Sequence, residues 1–345
     1  ENRIRLDPIV PARGLVYDRN GVLLADNAPA YRLDIVPERV DDMPQLLAAL
    51  RERVALSEDE IRRFENARKG SRRFKPIALK LRLSEEEIAR LAVDRHRFPG
   101  VEVVPYLTRR YPFGDLAAHI VGYVGRIDQD DIDAMASRGE SRFAALPHIG
   151  KTGLERYYEA RLRGDVGYQE VETNVENRPL RVLRRHDAQP GADLHLSIDI
   201  TLQQAMVEAF QGQHGAAIAI DPASGEILAM VSLPSYDPNL FVGGISFRDY
   251  KALNEDPARP LFNRNVLGGF PPGSTLKPFM ALAGLKEGLI TPESTVFSSG
   301  EFRLPGAARG YRDWRPGGHG TINLRESLAQ SVNTYYFDLA MRLGI

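Results

Sequence analysis

The chain opens with two short apolar runs, Leu15 to Tyr17 and Val22 to Leu24, set either side of Asp18-Arg-Asn-Gly21. An Asn-Gly pair between apolar runs is a tight-turn signal, so the spacing predicts a β-hairpin. Between about 40 and 100 the apolar period lengthens to that of helices. Ser57 with Glu60, and Ser84 with Glu87, each precede such a run with the residues of a capping box, which predicts a helix start at both places. Gly153-Leu-Glu155 to Arg163-Gly164 reads as one helix ended by glycine, and alternating strand-like residues follow through Leu183.

Near 190 the pattern changes. Gln189-Pro-Gly-Ala192 is a turn, Leu194 to Asp199 reads as a strand, and Leu202 to Phe210 as the helix it feeds. Gly215 to Val231 is two apolar strands joined by a turn containing Pro222 and Gly225, expected as a hairpin inside a core sheet. The fold expected is α+β. An extended N-terminal part spans 1–190 with an inserted subdomain at about 40–110, and a second domain spans 191–345, with helices packed on a mainly antiparallel sheet.

Composition narrows the classes of function. Hydrophobic residues at 43% and charged residues at 26% match a folded globular chain. The 45 Lys and Arg against 46 Asp and Glu leave no basic field for nucleic acid. Absence of cysteine excludes disulfides and thiolate metal sites. No run approaches the roughly 20 apolar residues of a membrane helix, and no signal-peptide pattern or initiator Met stands at Glu1. A helical pattern from Tyr335 continues to Ile345, so the chain is expected to be part of a longer protein.

The segment richest in chemistry is Phe270-Pro-Pro-Gly-Ser274-Thr-Leu-Lys277-Pro-Phe. Pro271 to Gly273 stop whatever precedes them, and Leu276 to Leu285 has helical spacing, so Ser274 falls at a helix start with Pro278 in the first turn. Positions three apart share a helix face, which brings the Lys277 amine within reach of the Ser274 hydroxyl. A serine becomes a nucleophile when a base takes its proton, and an amine can do so if burial lowers its pKa. Taken alone, Ser-x-x-Lys is a common accident: an N-cap serine and a surface lysine. Ser331-Val-Asn333 adds a second feature, a hydroxyl and a carboxamide two apart between two helix-like runs, able to serve as a proton relay and an amide clamp.

In this order the two motifs resemble the first two signatures, Ser-x-x-Lys and Ser-x-Asn, of penicillin-binding proteins and serine β-lactamases. Arg13-Gly through Gly21, and Gly153-Leu-Glu155 with Gly164, are similar to the N-terminal pedestal motifs of class B penicillin-binding proteins. Val266 to Thr275 and Arg312-Asp-Trp314 to Gly318-His-Gly320 resemble the elongation-specific, rod-shape branch, so the resemblance spans nearly the whole chain. It implies a serine-type peptidoglycan D,D-transpeptidase with Ser274 as nucleophile, Lys277 as base, Ser331 as relay and Asn333 as amide clamp. It also implies peptidoglycan stem peptides and β-lactams as ligands, and no cofactor. A SEDS-type glycosyltransferase (RodA) and the shape protein MreC are the implied partners. The implied location is the periplasmic face of the inner membrane, with an anchor upstream of Glu1. A septal class B enzyme, a hydrolytic relative (carboxypeptidase or β-lactamase) and a non-catalytic docking scaffold are the alternatives.

The third family signature, Lys-Thr/Ser-Gly, does not follow Asn333. Lys151-Thr-Gly153 spells it upstream of the nucleophile and opens a helix, so it is read as pedestal structure; with Ala145 where a Walker loop needs glycine, it is no phosphate loop either. Some elongation-type relatives hold zinc near the segment that Asp313 and His319 occupy. Two ligands are too few, and no metal is expected. His96, His148 and His214 have no partner spacing and are read as surface or packing residues.

Overall fold

The structure is a computed structural model that describes residues 3–140, 143, 146–174, 179–304, 306 and 308–344. It contains two compact units, residues 1–268 and 269–345.

In the first unit, Val16–Tyr17 and Leu23–Ile35 form the expected hairpin. Asp18 makes the turn by accepting both Asn20 N–H and Val22 N–H at 2.8 Å through one carboxylate oxygen, and Gly21 takes the left-handed φ of +82° that the turn requires. The long strand Leu23–Ile35 pairs antiparallel with Val101–Arg110 over ten residue pairs, and its Leu33 to Ile35 also pair on the other edge with Ile77–Lys80. Leu194–His195 extends the sheet past the hairpin, parallel to Val16–Tyr17. A separate antiparallel sheet joins Arg3–Ile9, Gly167–Thr173 and Pro179–His186.

Three helices, Met43–Arg51, Glu58–Gly70 and Glu85–Val93, pack against the end of the long strand around Leu33, Ile35, Leu50, Phe64 and Leu91. Both capping boxes are complete, Ser57 with Glu60 and Ser84 with Glu87. The Arg13-Gly and Gly153-Leu-Glu155 motifs meet in the interior. Glu155 is fully buried and accepts from Arg13 Nε and Arg109 Nε, each at 2.7 Å, and from Tyr111 OH at 3.2 Å. A buried carboxylate is tolerated when paired and fully bonded in this way. The helix read as continuous from Gly153 is two pieces, Gly153–Tyr157 and Glu159–Leu162. The break at Tyr158 lets Glu159 turn back to bond both Arg13 and Gly150 N–H.

The strand expected from Leu194 to Asp199 is two residues long. Past it, Ser197 Oγ bonds Ile227 O, and Asp199 leaves the strand to cap the helix Ile200–Ala209. Gly215–Ile220 and Ile227–Leu233 form the expected hairpin, a two-stranded ladder among the described residues. Gln203 and Asn239 bond the backbone of Leu116 and Tyr111. Residues 191–268 therefore pack with the N-terminal elements, and the compact units divide at 268/269, whereas the sequence pattern changes near 190.

The second unit is built on the helices Lys277–Lys286, Leu324–Ala329 and Asn333–Leu343 around Ala281, Ile322, Val332, Tyr335, Tyr336 and Leu339. Two short antiparallel ladders flank them, Val296–Ser298 with Gly320–Ile322 and Glu301–Phe302 with Tyr311–Arg312. A Cβ on Gly284 would stand 2.8 Å from Leu339 Cδ1, so the absence of a side chain there lets the first and third helices cross closely. The last helix ends at Gly344, left-handed at φ +80°. Among the described residues no helix is long and apolar enough to cross a membrane.

Candidate active site

The second unit brings all four sequence-predicted residues together. A single 3-10 turn, Gly273–Leu276, carries Ser274 exposed at its start and runs straight into the helix Lys277–Lys286. Pro278 sits in the first turn of that helix, where its missing N–H leaves no bond unmade. Ser331 and Asn333 come from the tight connection between Leu324–Ala329 and Asn333–Leu343, pinned by the fully buried Val332. Ser331 takes a left-handed φ of +50°. In a residue with a side chain that conformation is strained by about 1–2 kcal/mol.

Ser274 and Lys277 share a helix face, as the spacing predicts, yet among the described residues no hydrogen bond joins them directly. Ser331 stands between them: its Oγ lies 2.8 Å from Ser274 Oγ, as donor, and accepts from Lys277 Nζ at 3.1 Å. The amine also donates to Ser331 O at 2.6 Å and to Asn333 Oδ1 at 2.7 Å, so three acceptors match the three donors of an ammonium group. Only 7% of Lys277 is exposed. Burial lowers its pKa from the ordinary lysine value, and the negative charge of Asp313 acts in the opposite direction.

Asp313 is the residue whose part in the site the sequence reading missed. Its Oδ1 accepts Trp314 N–H and Asn333 N–H, both at 3.1 Å, and its Oδ2 accepts Thr334 N–H at 3.1 Å and Thr334 Oγ1 at 3.0 Å. Val332, the residue at the helix cap, gives no side-chain bond, so a carboxylate twenty residues upstream satisfies the first N–H groups of the helix bearing Asn333. Burial opposes the charge of Asp313, but the bonds from Thr334, Asn333 and Trp314 outweigh it and hold the carboxyl below its usual range. Next to it, Trp314 Nε1 donates to Gln330 O at 2.8 Å, fixing the residue before Ser331. No local pattern announces this cap, because its two halves are far apart in sequence.

With both Asp313 oxygens engaged by that helix, His319 packs edge-on against Trp314, and its two buried ring nitrogens have no hydrogen-bond partner among the described residues. Among the described residues no three His, Asp or Glu side chains cluster as a metal site. Lys151 bonds Asp128 and Asp131, and Gly153, left-handed at φ +57°, opens its helix against the backbone of Gly122.

Two family models match the chain, and they divide it between 196 and 215, ahead of the boundary between the compact units. The penicillin-binding protein dimerisation domain matches residues 8–196 and the penicillin-binding protein transpeptidase domain matches residues 215–345, and the chain belongs to this family. Among individual relatives, it is 46% identical to the peptidoglycan D,D-transpeptidase MrdA of Escherichia coli K12, over all of this chain and 55% of the relative. It is 44% identical to MrdA of Haemophilus influenzae, over all of this chain and 53% of that relative. The chain spans about half the length of the curated relatives it matches. Two solved structures cover 99% of it. PBP2 of Helicobacter pylori in complex with MreC has TM-score 0.80 at 28% identity, over 63% of that protein. PBP2 of Pseudomonas aeruginosa in complex with WCK 5153 has TM-score 0.68 at 36% identity, over 55% of that protein.

Proposed function

We propose that the chain carries the acylation site of a peptidoglycan D,D-transpeptidase acting in cell elongation, with Ser274 as nucleophile and Lys277 as base working through Ser331. The observation that carries this reading is the acceptor set around the Lys277 amine. Ser331 O and the Asn333 carboxamide oxygen can only accept. When the amine is neutral it has two N–H groups, which these two oxygens hold, and its lone pair then faces the Ser331 hydroxyl. The chain of hydrogen bonds reverses: Ser274 donates to Ser331, and Ser331 donates to the lysine. In the charged state the same chain points toward Ser274, as found in the structure.

The proposed reaction uses that reversal twice. Ser274 Oγ attacks the carbonyl of the penultimate D-Ala of a stem peptide while its proton passes to Ser331, whose own proton passes to Lys277. The peptide C–N bond then breaks, and the departing D-Ala amine takes the proton back along the same path. An amine of a neighbouring stem peptide attacks the ester and loses a proton to the relay, and the acyl C–Oγ bond breaks as the relay returns that proton to Ser274 Oγ. The Asn333 amide nitrogen, 3.5 Å from Arg312 O, is weakly held and free to turn to a substrate carbonyl. A β-lactam would form the same serine ester.

The similarity to MrdA proteins supports the elongation assignment, and the solved complex of the Helicobacter pylori relative supports an MreC-type partner for residues 1–190. A SEDS-type glycosyltransferase (RodA) and the periplasmic face of the inner membrane complete the proposal, both from the family resemblance. Intact-mass spectrometry of the complete transpeptidase domain, including the third family signature, with a β-lactam is expected to show one long-lived adduct, lost in Ser274→Ala, whereas the 345-residue chain alone is expected not to be acylated at a useful rate. An adduct that persists in that variant would sink the assignment, and rapid release would move it to a hydrolytic relative.

A further inference from the structure

Far from Ser274 in sequence, the first unit contains a cavity of about 520 Å³ lined by four arginines, Arg32, Arg63, Arg82 and Arg126, and one carboxylate, Glu60. Glu60 is already engaged: its Oε2 accepts Ser57 N–H and Ser57 Oγ at 2.8 Å to complete the capping box. Arg32 is paired with Asp34 at 3.0 Å. Arg63, Arg82 and Arg126 have no ion-pair partner among the described residues. Arg126 is half-buried, and its Nε is buried without a hydrogen-bond partner among the described residues. Burial first, and then the like charge of Arg63, lower its pKa, while Tyr106 and Glu60 act in the opposite direction. His148 on the same wall is pushed down to about 4, mainly by burial and further by Arg126 and Arg13, so it is neutral there at physiological pH.

Two of these guanidinium groups, Arg126 and Arg63, approach one glycine, and Arg82 lines the same cavity. A Cβ built on Gly244, which is left-handed at φ +89°, would stand 3.5 Å from Arg126 Nε and 3.8 Å from Arg63 Nη1. Arg126 and Arg63 thus bring two planar forks to the same wall of the cavity, and such forks match tetrahedral and planar oxyanions. Three unpaired cations favour a multiply charged anion over a single carboxylate.

We propose that this cavity binds a phosphate-type oxyanion, a phosphate or diphosphate group, held between Arg63, Arg82 and Arg126 above Gly244. Arg63 lies on the helix Glu58–Gly70 and Arg126 on the strand Val124–Arg126, so the anion bridges two elements that share no ion pair at this place. The group could be free or carried on a lipid headgroup, and the chemistry of recognition is common to both.

The test is isothermal titration calorimetry of inorganic pyrophosphate into the full chain at low salt, beside sedimentation with vesicles of phosphatidylglycerol or of phosphatidylcholine. Saturable pyrophosphate binding is expected, at least about tenfold weaker in Arg63→Gln and in Arg82→Gln. Both exposed side chains can be changed with little risk to the fold, which a thermal melt checks. Arg126→Gln should abolish binding. Selective sedimentation with phosphatidylglycerol vesicles, lost in the same variants, would support a lipid-borne phosphate; pyrophosphate binding without sedimentation would support a free one. Absence of binding in both arms, binding unchanged by Arg63→Gln and Arg82→Gln, or acetate or a penta-glutamate peptide binding as tightly as pyrophosphate would overturn the proposal.

Discussion

Replacing Asp313 with alanine tests the site through a residue that touches none of the reacting atoms. The carboxylate receives four hydrogen bonds, two of them from the N–H groups that begin the helix carrying Asn333. Losing an N-cap costs about 0.5–2 kcal/mol. Leaving the buried Thr334 N–H unsatisfied costs about 1–3 kcal/mol, and the two effects overlap in part. A stability loss of about 2–4 kcal/mol is therefore expected in Asp313→Ala.

The helix start would relax with it, carrying Asn333 and the strained Ser331 out of register with Lys277. A displacement of about 1 Å in such a group can cost roughly 100-fold in rate. The assay is the acylation rate constant with a fluorescent penicillin, normalised to folded protein and separated from the dissociation constant of the initial complex. The rate constant should fall about 10- to 100-fold with little change in initial binding. The acid limb of the pH profile adds a readout that instability alone would not move. The Asp313 charge favours the lysine ammonium, so removing it should shift the limb to lower pH. Wild-type acylation per folded molecule, with an unmoved limb, would refute the reasoning.

Lys277 is held below its unfolded value of 10.5, so acylation should climb as pH rises through that lowered pKa; a rise only near the ordinary lysine value would count against a buried base. Ser331→Ala should slow acylation almost as much as Lys277→Ala, by several orders of magnitude, since the relay links the two; a mild effect measured with the same penicillin would show a direct Ser274–Lys277 path. Glu155→Gln should cost about 3–5 kcal/mol by urea unfolding, because Arg13 and Arg109 lose the charge they share, while acylation per folded molecule stays unchanged. Both Asp313 and Glu155 have carboxyl pKa values below their unfolded ones, so their stabilisation is complete above the unfolded values and is lost as pH falls through the folded ones, which acid unfolding of single variants can follow. Deleting residues 40–100 should spare Ser274 labelling and weaken binding of an MreC-type partner in a pull-down; loss of labelling in a folded variant would contradict that division of labour.

What was legible in the sequence was local. The capping boxes at Ser57 and Ser84, the Asp18 to Gly21 turn and the helix start at Ser274 each depend on residues within four positions of one another, and each stands where the pattern puts it. The convergence of Ser274, Lys277, Ser331 and Asn333 could be expected only from the family resemblance, since the two motifs lie more than fifty residues apart and meet through the helix crossing at Gly284. The family resemblance raises Asp313 as a metal ligand and the count of ligands returns it to a structural role, but nothing nearby shows that its oxygens turn to a helix still to come. The break at Tyr158 escaped for a related reason: local spacing favours a continuous helix, and Arg13, which draws Glu159 inward, comes from far along the chain.

The left-handed backbone at Ser331 sets stability against chemistry at a single position. Glycine would adopt φ +50° without the strain a side chain brings, so Ser331→Gly relieves the backbone while deleting the hydroxyl on which the proposed proton path depends. Selection of this protein for heat resistance alone should therefore enrich glycine at 331 among inactive survivors. Selection for β-lactam labelling should retain serine there despite its conformational strain, and comparing the two pools would show directly which pressure has governed this residue.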